Sequence, residues 1–136
     1  MNIFETRIKP QLEKGSFGSI DPQTLVESAE QIGQKLSSNE DGLKNHQLRK
    51  FYDTVKQIER RTLSLKRDAQ LPDELLAQLL FLRPHLANAE RKQRTKDSIQ
   101  LLRRALDPCL TSEALQTKAD LTQFVKFFEA IVAYAR

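Results

Sequence analysis

The chain has 136 residues, 39% of them hydrophobic and 29% charged, with a net charge of +4, a pI of about 9.3 and a mean hydropathy of −0.54. That is enough to build one domain with a real core, and it leaves no apolar run that could span a bilayer and no charged-then-apolar leader. The modest basic balance favours an anionic partner without specifying one. A single cysteine, Cys109, excludes an internal disulfide and agrees with a reducing, cytoplasmic setting. Four glycines, five prolines and few β-branched runs point to an all-α fold, a compact bundle of about five helices.

Residues 1–20 hold Pro10 and the run Gly15-Ser16-Phe17-Gly18 without a sustained period. They read as an N-terminal arm, partly flexible, whose Ile3, Phe4, Ile8 and Phe17 have the core or a neighbour to anchor on. Residues 21–136 form a single helical-bundle domain. Asp21 caps its first helix and Pro22 suits the first turn, where a missing N–H costs nothing. Leu25, Ala29, Ile32 and Leu36 make the stripe of that helix. Gly33 either weakens it or admits a close neighbour. Residues 37–42, SSNEDG, are a turn by composition.

The stretch 43–61, LKNHQLRKFYDTVKQIERR, carries the clearest two-faced pattern. Leu48, Phe51, Tyr52, Val55 and Ile58 recur at steps of three and four and want a core. Arg49, Asp53, Lys56 and Arg60 fall on a different face, a row about 16 Å long at roughly 1.5 Å per residue. A nucleic-acid strand carries a phosphate every ~3.4 Å, so the row matches on the order of five phosphates. A solvated helix face is the plainer explanation of such a row. Arg60, Arg61, Lys66 and Arg67 make the end of this helix strongly basic, which also complements its dipole.

Leu71-Pro72-Asp73 opens a leucine-rich helix, Leu75, Leu76, Leu79, Leu80 and Leu82, in which Pro84 forces either a kink or an end near Leu82 and Arg83. Residues 83–104 hold seven cations against Glu90 and Asp97, +5 in all, more than the whole chain carries. Within them, residues 90–96 contain no strongly apolar side chain and read as an exposed loop or helix end. Ile99, Leu102 and Leu106 resume a helical stripe. Residues 111–116 are a short helical turn or a connector. The last helix starts near Asp120, with Gln123 as a capping-box partner. Its Leu121, Phe124, Phe128, Ile131 and Val132 fit one broad face, while Phe127 and Tyr134 extend beyond it, suited to bundle burial or to a subunit contact.

No glycine-rich phosphate loop, zinc-type Cys/His spacing or HExxH helix is present, so no catalytic site, cofactor or metal is expected. His46 and His85 read as ordinary histidines, Cys109 as a small hydrophobe. Three stretches together resemble one family: His46-Gln47-Leu48-Arg49-Lys50-Phe51-Tyr52, Leu82-Arg83-Pro84-His85-Leu86-Ala87 followed by Arg91, and Phe124-Val125-Lys126-Phe127-Phe128-Glu129-Ala130-Ile131-Val132-Ala133-Tyr134. The chain is similar over roughly residues 21–136 to the small subunit of type III-A CRISPR-Cas effector complexes, the Csm complexes. It departs from the family pattern at His46, where a hydroxyl residue is usual, at His85, where lysine is common, and at Asn88-Ala89-Glu90, which lacks a glycine before Arg91.

The resemblance implies a non-catalytic helical bundle acting in antiviral defence. Copies of it stack beside the backbone and large subunits and hold the duplex of guide RNA and target RNA. Arg49, Lys50, Lys56, Arg60, Arg83, Arg91 and Lys126 are then the expected RNA-binding residues, contacting phosphate and ribose while the guide reads sequence by pairing. The competing expectation is a helical protein–protein adaptor with no direct RNA contact. A DNA-binding regulator lacks a helix-turn-helix signal.

Overall fold

The structure, a computed structural model, describes residues 2–38, 45–92 and 96–135. All regular structure among these residues is helical. A turn of π-helix at Phe4–Ile8 leads into α1 (Lys9–Lys14), and a 3-10 turn at Phe17–Ser19 precedes α2 (Pro22–Ser38). Then follow α3 (Asn45–Arg60), α4 (Asp73–Leu80), α5 (Leu82–Lys92), α6 (Lys96–Leu106), a 3-10 turn at Asp107–Cys109 and α7 (Lys118–Tyr134). Most of the turn expected at residues 37–42 lies outside the described residues, as do Leu43, Lys44 and residues 93–95.

α7 is the centre. Its Leu121, Phe124, Val125, Phe127, Phe128 and Ile131 are all buried, a face too wide for one neighbour. α2 packs on one side of it and α3 on another. Gly33 of α2 is what lets α7 come close: a Cβ there would lie 2.8 Å from the Tyr134 carbonyl carbon and 2.9 Å from the Ile131 oxygen. Of the two readings of Gly33, close approach is the one realised. The expected cap of α2 is also present, the Thr24 N–H donating to Asp21 Oδ2 at 3.1 Å.

Of the two anchors open to the arm at residues 1–20, the core is the one that its described residues use. Phe4, Ile8, Phe17 and Ile20 are buried. Phe4 stacks on Phe127 at 6.2 Å, and Phe17 lies 5.7 Å from both Phe124 and Phe127. The segment has too few apolar residues for a period, so its order comes from the aromatic surface that α7 leaves uncovered. The same contacts explain the extra width of α7: Phe127 faces this segment.

The start of α7 also differs from expectation. Thr117 is the N-cap and Asp120 its capping-box partner. Asp120 is 3% exposed and accepts N–H bonds from Gly18 at 2.8 Å, Gln116 at 2.9 Å and Thr117 at 3.0 Å. One carboxylate thereby ties the N-terminal segment to the centre of the bundle, its desolvation offset by three donors.

The leucine-rich run breaks at Phe81. Pro84 falls in the first turn of α5, where no N–H partner is required, and its ring would clash with the Leu80 carbonyl if α4 continued. Of the two outcomes expected at Pro84 the helix end is the one realised, and it adds one helix to the expected bundle of about five.

Candidate nucleic-acid interface

α3 runs antiparallel to α7. Tyr52 meets Phe128 edge-on at 5.7 Å, and beyond the end of α3 the Lys118 ammonium of α7 donates to the Leu65 carbonyl at 2.9 Å and the Leu63 carbonyl at 3.4 Å. Leu48, Val55 and Ile58 are buried, with Phe51 and Tyr52 at the edge of the core. The aromatics expected as core are therefore core. Burial, and next the Glu129 carboxylate, raise the Tyr52 phenol above its ordinary value. Glu129 likewise acts on Lys56, so the flank of α3 that bears Lys56 lies near Glu129 on the exposed side of α7.

These cations are not equivalent. Arg49, Arg60 and Lys126 are exposed and pair with no carboxylate among the described residues. Lys56 Nζ bonds Glu59 Oε1 at 3.0 Å, a bond that raises the lysine above its usual value and half-neutralises it as a phosphate contact. Lys50 lies on the opposite flank, in line with Thr54, Gln57 and Arg61. That flank borders a different concavity, closed by Phe81 and His85.

Arg83 and Arg91 belong to another part of the molecule. Both are exposed on α5, which packs on α6 and α4. Arg83 acts on Asp107, as does Arg103, whose guanidinium bonds Glu90 through Nη1 and lies 3.3 Å from Asp107 Oδ2 through Nε. Burial pushes the Asp107 carboxyl up, with the two arginines pulling it back. The segment richest in cations is thus partly neutralised by its own fold. Glu90, expected in an exposed stretch, is half-buried in this pairing.

Two basic residues outside the expected set join the α3–α7 side. Arg67, Lys118 and Lys126, with Ala119, Thr122 and Gln123, line an open concavity of about 390 Å³. A helix that starts at Asp120 leaves Lys118 outside it, and the spacing alone makes Arg67 a helix-end charge. Recognising Thr117 as the cap would have placed Lys118 in the first turn.

Cys109 is fully buried, and burial raises its thiol far above the ordinary value. No described helix is long and apolar enough to cross a membrane.

No curated protein and no solved structure matches the chain significantly. A family model does: that of Csm2 of type III-A matches residues 19–136, everything from the last residue of the Phe17–Ser19 turn onward. This is the family that the motifs on α3, α5 and α7 resemble, and the all-helical architecture agrees with it. The chain belongs to the Csm2 type III-A family, the small subunits of the type III-A CRISPR Csm complex.

Proposed function

We propose that this subunit is non-catalytic and lines the guide RNA–target RNA duplex in the assembled cytoplasmic Csm complex, beside the backbone and large subunits and further copies of itself. The carrying observation is that Arg49 and Arg60 of α3 and Lys126 of α7, on two helices packed together, are all exposed and unpaired among the described residues. Exposed guanidinium and ammonium groups on a rigid scaffold suit phosphates and riboses, which position a duplex without reading bases. Lys56 adds a weaker contact because Glu59 shares it. Arg83 and Arg91 on α5, and Lys50 on the far flank of α3, meet a neighbouring stretch of RNA or an adjacent subunit.

A protein-contact role for part of the surface is favoured by one observation: Leu63 and Phe81 stand 73% and 63% exposed. The two readings separate in a reconstituted complex. Arg49→Ala with Arg60→Ala should weaken target-RNA binding by about tenfold or more with the subunit still incorporated. Unchanged RNA affinity, with incorporation lost, would leave the adaptor reading standing instead.

A further inference from the structure

We infer that the concavity lined by Arg67, Lys118, Thr122, Gln123 and Lys126 is a discrete phosphate site, one that grips a single phosphodiester group of the RNA backbone where the α3 row ends. The inference rests on the RNA-facing reading above and adds a fixed point to it. Among the described residues three cations and no carboxylate line the concavity. Like charges gathered in one hollow repel each other in the free chain, and a bound anion reverses the sign of that interaction. Arg67 and Lys126 are exposed, with no carboxylate partner among the described residues.

The groups are also held in place. The Arg67 carbonyl accepts the Ala119 N–H at 2.9 Å, which seats the arginine's backbone against the first turn of α7. Lys118 Nζ donates to the Leu63 and Leu65 carbonyls. An ammonium has three N–H groups, so one remains for a ligand while the other two fix its position. Gln123 is oriented by its bond to the Ile20 carbonyl at 3.4 Å. The site does not depend on free amides at the helix end, because the Lys118 and Ala119 N–H groups are both taken, by the Ala69 and Arg67 carbonyls. Its donors come from the loop after α3 and from two turns of α7, whereas the α3 row is one line of solvated side chains.

The lining favours phosphate over a protein surface. Apart from Ala119 its side chains all end in a cation, a hydroxyl or an amide, and among the described residues no large hydrophobic side chain lines it of the kind a protein contact places at its centre. The segment that follows α3 meets the first turn of α7 at Leu63, Leu65 and Arg67, so the hollow lies beyond the C-terminal end of the α3 row.

The test is a double-mutant cycle on the full chain, with a labelled RNA duplex as the probe at low salt and folding checked by circular dichroism. Arg67→Ala and Lys126→Ala should each weaken binding by about fivefold. Their double mutant should lose about tenfold, well short of the product, because both grip one phosphate. Arg67→Ala combined with Arg49→Ala should simply multiply. The inference is overturned if Arg67→Ala has no effect or if the Arg67 and Lys126 losses multiply. It is overturned too if the wild-type chain binds no duplex, since the hollow is complete within one chain. In any of these cases the row stands or falls separately: it fails only if Arg49→Ala with Arg60→Ala is also silent in the assembled complex.

Discussion

Two regions of this small subunit are rich in cations, and each gives one of them to a carboxylate, within a single helix in the first and between two helices in the second. On the α3–α7 side, Arg49, Arg60 and Lys126 stay exposed and unpaired among the described residues. On the α5–α6 side, which holds more cations in sequence, Arg103 is held between Glu90 and Asp107. Thirteen residues separate Arg103 from Glu90, a distance that only the packing of α5 on α6 closes. Local charge density is therefore a poor guide to an anion-binding face. What matters is which cations the tertiary structure leaves without carboxylates, because an exposed, unpaired cation gives up no existing partner to meet a phosphate.

The largest expected effect tests the paired side. Arg103→Ala leaves two partly buried carboxylates without their cation and should cost about 2 kcal/mol of stability. That lies below the figure for a fully buried pair, because the Arg103 side chain is 32% exposed. Chemical denaturation measures the loss. Cys109 gives a local readout, since it is fully buried two residues beyond Asp107. Its reaction with a thiol reagent under native conditions should accelerate by about thirtyfold, in line with the same free energy. RNA affinity should stay within about twofold. A loss of RNA binding as large as that from the α3 row would erase the distinction between the two sides.

A smaller effect sharpens the same contrast. Because burial raises Asp107, the folded chain holds that proton more tightly than the unfolded chain. Its contribution to stability therefore falls as pH rises from the ordinary aspartate value of about 4 through its own higher one. Asp107→Asn should remove that slope from a stability–pH profile, and an identical slope in the variant would refute the assignment. The smallest effect lies on the open side. Glu59→Gln removes the negative charge that Lys56 bonds at 3.0 Å and should strengthen RNA binding by about twofold. A weaker complex would mean that Glu59 positions Lys56 for RNA.

Much of the scaffold is legible in the sequence, for local reasons. Asp21 and Pro22 announce α2, and the stripes of α3 and α7 give their buried faces directly, because cap and period act within a few residues. For the N-terminal segment the choice between core and neighbour is not legible, since Phe4 and Phe17 meet rings that follow more than a hundred residues later. For the candidate site, the α3 row is readable from spacing alone. The Arg67–Lys118–Lys126 hollow is not, because it forms where the loop after α3 pairs with the start of α7, through the Leu71 N–H to the Gln116 carbonyl and the Lys118 N–H to the Ala69 carbonyl. The Glu59 bond to Lys56 sits at a helical spacing of three and was open to prediction. Pro84 named its own break, the chain ending α4 just before the proline would collide with it.

The most direct measurement is the salt dependence of RNA binding for the wild-type chain, the Arg49→Ala, Arg60→Ala pair and Arg103→Ala, in the assembled complex. Each lost phosphate contact should reduce the log–log slope by about 0.7 to 0.9. The paired substitution on α3 is expected to lower the slope by about 1.5 and the affinity with it, while Arg103→Ala leaves both unchanged. Equal slopes for all three proteins would contradict the assignment of the α3–α7 side as the RNA-binding face.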